Sequence, residues 1–211
     1  MKTQYCWSTM FREKMESSKS KEDELKVKKW LVPVGIIVIL VMILSSGYNS
    51  LVKLSEGVNS SWSQVQNQLQ RRADLIPNLV QTVKGYAAHE QEIFTQVAEA
   101  RAKLSGAATV GEAAQADQAL TGALGRLLAI AENYPLLKAD ANFRALQDEL
   151  AGTENRVATA RMDYNNAVQA YNTKIKVFPT SIYAGIFGFG SKDYFKAAEN
   201  ANTVPNVDFS K

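Results

Sequence analysis

Two polar runs carry the side chains with which this chain could do chemistry. The first, RRADLIPNLVQTVKGYAAHE, extends from Arg71 to Glu90 and holds Arg71, Arg72, Asp74 and Asn78. The second, GTENRVATARMDYNNAVQAYN, holds Glu154, Asn155, Arg156, Arg161 and Asn165. Guanidinium and carboxylate groups pair bidentately, so such residues have two uses. They either converge on a ligand between facing helices or form an ion network that fixes helix register, since a buried charge is costly unless paired. No Ser–His or Cys–His arrangement and no glycine-rich phosphate loop accompanies them. The expectation is therefore a structural polar network of Arg71, Arg72, Asp74, Asn78, Glu154, Arg161 and Asn165. The single histidine, His89, stands beside Glu90 and Glu92, but carboxylates at i+1 and i+3 do not converge with it on one helix face. The single cysteine, Cys6, excludes an intrachain disulfide. No catalytic residue, metal ligand or cofactor is expected. Asp140, Asp148 and Glu149 read as capping and solvated-face residues.

The elements that must position these groups are helices. Apolar residues recur at three- and four-residue steps through Leu51, Leu54, Val58, Trp62, Val65 and Leu69, then Ile76, Leu79, Val83, Tyr86, Ile93, Val97 and Leu104. The same period runs from Phe143 through Leu150, Val157, Tyr164 and Tyr171 to Ile175. This is the pattern of one buried helix face. Pro77 removes the hydrogen bond to the Ala73 carbonyl, which predicts a kink or break near Ala73–Pro77, with Asp74 capping a restarted helix. Ser105–Gly111 reads as a loop. An alanine-rich helix follows over about Glu112–Asn133, Pro135 marks a turn, and Asp140 or a neighbour starts a third long helix to about Val177, which Pro179 ends. The fold class is all-α: an N-terminal single transmembrane helix, then an antiparallel up-and-down three- or four-helix bundle with an irregular aromatic C-terminal tail. Ala113–Ala119 offers a face for close helix approach.

Leu31–Gly47, LVPVGIIVILVMILSSG, is seventeen residues without a charge, flanked by Trp30 and Tyr48. With both aromatics at interface depth it is long enough to span a bilayer, and Pro33 falls near its first turn. The competing reading is a signal-peptide core with Ser45 and Gly47 before a cut; the long N-terminal region and the helical pattern resuming at Leu51 argue for retention. Eight of the 24 Lys and Arg lie within Met1–Trp30, whereas only Lys53 closely follows the span. This asymmetry keeps the N-terminus in the cytoplasm. The domains so expected are a largely disordered basic extension (1–30), the span (31–47), an extracytoplasmic bundle (48–177) and a tail (178–211). The net charge of +3 is too small to imply nucleic acid.

The two polar helices, together with YNSLV (Tyr48–Val52) and FPTSIYAGIFGF (Phe178–Phe189), closely resemble the LemA family of bacterial membrane proteins. The resemblance covers roughly residues 36–211, and Asn202–Lys211 resembles the family's usual ending. The basic extension is a departure, because the family usually begins almost at its membrane helix. The resemblance implies a small four-helix bundle with no established enzymatic activity. It points to a non-enzymatic membrane-anchored scaffold or adaptor of the bacterial inner membrane that organises other envelope membrane proteins. Alanine-rich helix faces, the juxtamembrane helix from Tyr48 and the Phe178–Phe195 tail are self-adhesive surfaces, from which a homo-oligomer is expected. The alternative is a ligand-sensing or hydrolytic domain that uses the Arg/Asp/Glu cluster. In the tail, Ile182, Tyr183, Ile186, Phe187 and Phe189 either fold back as a lid on the bundle or remain exposed as a partner or membrane contact.

Overall fold

The computed structural model describes residues 4–196, with side chains at residue 30 and from 33 onward. Six helices occur among them and no strand: α1 (Gln4–Lys84), α2 (Gln91–Ser105), α3 (Val110–Ala131), α4 (Pro135–Ala139), α5 (Ala141–Lys176) and α6 (Thr180–Ile186). The chain divides into two compact units, Met1–Ser50 and Leu51–Lys211, and α1 enters both. In the first unit, α1 begins at Gln4, within the extension expected to be largely disordered. The first 32 residues contain no Gly or Pro, and a helix already nucleated by the apolar segment extends without a second nucleation cost. Pro33 accordingly lies inside α1 and not in its first turn. The side chains from Ile36 to Leu44 are exposed, each by at least 45%.

The second unit is a four-helix bundle made by the later part of α1 with α2, α3 and α5. Pairings along the helices give their directions. Lys84 stands over the Phe94 ring while Arg101 reaches back to Ala73, so α2 runs antiparallel to α1. Tyr86 bonds Asp140, and Trp62 packs on Tyr164, so α5 is antiparallel to α1 as well. The expected stripe on α5 is buried or packed against the core throughout, from Phe143 through Leu150, Val157, Tyr164 and Tyr171 to Ile175. Burying a large apolar side chain contributes about 1.5–3 kcal/mol, so this face alone commits α5 to the core. Asp140 caps α5, accepting from the Phe143 N–H at 2.9 Å. Thr109 and Glu112 form a reciprocal capping box on α3. The loop expected over Ser105–Gly111 is thus shorter, because α3 begins at Val110. Ala113, Ala116 and Ala123 are buried in this same bundle, where they allow its own helices to approach.

The expected break at Ala73–Pro77 does not occur. The helix runs through Pro77 and ends at Lys84. Proline there removes the donor that would satisfy the Ala73 carbonyl, and Arg101 from α2 supplies it, its Nε donating to that oxygen at 2.9 Å. Asp74 is consequently mid-helix and caps nothing; it accepts from Gln70 at 2.8 Å on the exposed side. The chain reverses later, over 85–90, and His89 lies in that turn rather than on a helix face. Asn202–Lys211 lies outside the described residues.

Candidate functional site

Three helices meet at one carboxylate. Asp117 on α3 is 1% exposed. Its Oδ1 accepts from Arg72 Nη1 of α1 at 3.0 Å, and its Oδ2 pairs with Arg161 of α5. Glu154 Oε2 stands 3.8 Å from Arg72 Nη2, but its side chain is 58% exposed. Glu154 is therefore a wet outer partner, and the counter-ion at the buried centre is Asp117. The Nε atoms of Arg72 and Arg161 are buried with no hydrogen-bond partner among the described residues. Burial holds the Arg72 guanidinium below its ordinary value, with Glu154 acting the other way. Burial likewise lowers Arg161, and the neighbouring Arg72 adds to that lowering. Arg161 also lies 4.5 Å from the centroid of the Phe195 ring, a contact that suits a partly desolvated cation.

Asp117 lies within Ala113–Ala119, which the sequence offered only as a face for close helix approach, so its charge went unassigned. A signal was present. Ala113, Asp117, Leu120, Leu124 and Leu127 follow four- and three-residue steps, and a carboxylate on an apolar stripe needs a cation from another element.

A second, exposed ion group lies nearby. Glu149 Oε1 accepts from Arg71 Nη2 and from Arg156 Nη2, each at 2.8 Å. These bonds, Arg71 first, hold the Glu149 carboxyl below its ordinary value. Glu149 thus does more than face solvent, although exposed pairs of this kind contribute little to stability. Of the residues expected to form one network, Arg72, Arg161 and Glu154 come together, Arg71 belongs to the outer group, and Asp74 and Asn78 lie on the exposed side.

Asn165 serves the tail instead. Its amide brackets Phe195, donating to the carbonyl at 3.1 Å and accepting from the N–H at 2.9 Å. Asn172 brackets Lys192 in the same way, at 2.8 and 2.9 Å. The preceding tyrosines repeat the pattern: Tyr164 donates to the Asp193 carbonyl at 2.8 Å and Tyr171 to the Gly190 carbonyl at 3.0 Å. Two Tyr-Asn doublets seven residues apart therefore hold rungs three residues apart. Seven helical residues rise about 10.5 Å and three extended residues span about 10 Å, so helix and tail match in step. The doublets were legible in the sequence, but their common partner was not.

The aromatic tail is divided. Tyr183 and Ala184 are buried against Leu51, and Phe189 packs partly on both apolar clusters. Tyr183 is a packing residue, on the face that α6 turns to the bundle, and Phe189, beyond the end of α6, packs partly as well. Ile182, Ile186 and Phe187 are exposed by 59%, 74% and 56%.

What this centre can do chemically is hold helices. The Asp117 oxygens are each engaged by an arginine, so Arg72 and Arg161 turn inward to a residue of the same chain. His89 and Glu90 lie in the α1–α2 turn, where Glu90 accepts from the Tyr134 hydroxyl at 3.4 Å. Among the described residues no three His, Cys, Asp or Glu side chains are grouped to hold a metal ion.

The chain is similar to several known proteins. Magnetosome protein MamQ 2 of Paramagnetospirillum magneticum is 30% identical over 199 residues, covering 82% of this chain and 73% of that protein. Magnetosome protein MamQ of Magnetospirillum gryphiswaldense is 29% identical, covering 75% and 68%. Protein LemA of Metamycoplasma hominis is 25% identical, covering 72% and 69%. The model of the LemA family matches residues 61–209, which take in the Arg72–Asp117–Arg161 centre and both Tyr-Asn doublets, and the chain belongs to that family.

Proposed function

We propose that this protein is a non-catalytic, membrane-anchored scaffold that organises other envelope membrane proteins through its helical bundle. The observation that carries this reading is the Asp117 centre. Charged groups able to meet a ligand between helices are engaged with one another, so the cluster acts as a register lock for α1, α3 and α5. The anchor is the apolar part of α1, whose helix from Pro33 to Lys84 holds a window of mean hydropathy 2.0 that is only 6% buried. Exposed aliphatic side chains along such a window favour lipid as their surroundings. Arg12, Lys14, Lys19, Lys21, Lys26, Lys28 and Lys29 before the span, against Lys53 after it, support a cytoplasmic N-terminus and an extracytoplasmic bundle in the inner membrane. LemA and MamQ are not enzymatic names, which is consistent with a binding role. Chains confined to a membrane also gain effective concentration, so weak contacts suffice for homo-oligomers.

Proximity labelling in cells tests the scaffold role. A labelling enzyme fused to the C-terminus of the full chain is expected to mark a defined set of envelope proteins that a fusion to residues 1–50 does not mark. Identical sets from both fusions would refute it. A cysteine at Ala108 that reacts with an impermeant thiol reagent only after lysis would refute the orientation.

A further inference from the structure

We infer that α6 is an interfacial foot, whose outer face of Ile182 and Ile186, together with Phe178 in the turn before it, inserts into the lipid surface at the Gly47 end of the membrane span. The inference rests on the reading of residues 31–47 as an anchor. Ile182 and Ile186 lie one turn apart on α6 and are exposed by 59% and 74%, and Phe178, in the turn before the helix, is exposed by 76%. The opposite face, Thr180, Tyr183 and Ala184, is buried, so the short helix is fixed in orientation by its own packing. That packing is on Leu51, four residues beyond Gly47. Four residues reach at most about 14 Å in any conformation, which places the seat of α6 within reach of the bilayer headgroup layer whatever the direction of the span.

Charge supports a lipid occupant over a protein one. Lys174 and Lys176 stand in the last turn of α5, just before this face. No Asp or Glu occurs from Tyr164 to Lys192, so nothing on that stretch repels anionic headgroups. An apolar face that follows lysines along the chain matches the composition of interfacial helices. A second copy is the weaker occupant, since a stable dimer buries roughly 800 Å² per partner and three side chains offer far less. Leu136 provides an internal comparison, because it is 77% exposed but lies near the Tyr86–Asp140 contact. Along α1 that contact is about 50 Å from Leu51 at 1.5 Å per residue.

The test uses the full chain with Cys6→Ser, carrying one nitroxide at a time on Ile182→Cys, Ile186→Cys, Leu136→Cys or Val41→Cys, in phosphatidylcholine–phosphatidylglycerol vesicles. Accessibility to oxygen is compared with accessibility to an aqueous nickel chelate. The oxygen-to-nickel ratio at 182 and 186 is expected to exceed that at 136 several-fold, with 41 higher still. Ratios at 182 and 186 equal to that at 136, with 41 in lipid, would overturn the foot and leave the anchor standing. An aqueous label at 41 would overturn both. Labels at 182 and 186 shielded from both reagents and broadened by a neighbouring spin would identify a contact between copies and also overturn the inference.

Discussion

Asp117→Ala strips the carboxylate from the bundle centre and leaves two guanidiniums facing each other. Arg72 cannot be rehydrated in place, because its side chain is only 4% exposed, whereas Arg161 at 31% can turn part of its charge to water. Removing one partner of a buried pair costs about 3–5 kcal/mol. The lower part of that range fits here, since Glu154 remains 3.8 Å from Arg72. For a domain of this size, 1 kcal/mol moves the melting temperature by about 2–4 °C, so a loss of about 3–4 kcal/mol in Asp117→Ala is expected to lower it by about 6–16 °C. Glu154→Ala removes a side chain that is 58% exposed and should cost about 1 kcal/mol or less. Thermal melts of the full chain in one detergent, followed by helical circular dichroism, compare the two directly. Arg72→Met and Arg161→Met combined with Asp117→Leu should regain most of the loss, because apolar packing offsets a buried ion triad removed whole. Equal shifts for Asp117→Ala and Glu154→Ala would refute the assignment of Asp117 as the buried counter-ion.

Arg101→Ala should cost about 1–3 kcal/mol by orphaning the Ala73 carbonyl, and clearly less in a Pro77→Ala background, where the residue-77 N–H returns; a double-mutant melt that shows simple additivity would discard this account of Pro77. Asn172→Ala removes both bonds to Lys192, so the Lys192 amide should exchange with deuterium about fivefold faster for each 1 kcal/mol lost; unchanged exchange would mean the tail docks by packing alone. Glu149 is lowered by Arg71 and Arg156 and Asp140 by the Phe143 N–H, so their stabilisation is complete above the ordinary carboxylate range of about 4 and is lost as pH falls through the lower folded values. Melts across the acid range should show this decline, and Glu149→Gln should flatten it; a decline of the same steepness in that variant would exclude Glu149 as a contributor.

The sequence by itself determined the elements whose signal is local. The alternation of three- and four-residue steps from Phe143 to Ile175 specified α5 and its buried face, because a helix side buried along its whole length needs only its own period. Asp140 and Pro179 bounded that helix through local hydrogen bonding and a fixed φ, and the charge-free run of Leu31–Gly47 marked a segment long and apolar enough to cross a membrane. Tertiary structure decided whatever depended on a partner distant in sequence. Pro77 creates an unsatisfied carbonyl in any context, and whether that ends a helix turns on Arg101, 28 residues away, arriving at Ala73. Arg72 and Arg161 announce a need for a carboxylate, yet Asp117 and Glu154 are equal candidates in one dimension. Burial separates them, because only the group removed from water must be matched. The Tyr-Asn doublets likewise show two outward-reaching amides a heptad apart, and only docking of residues 190–195 gives them backbone to hold. The same distinction divides α6. Its period places Tyr183 and Ile186 in one aromatic run, but contact with Leu51 buries the first and leaves the second on the surface.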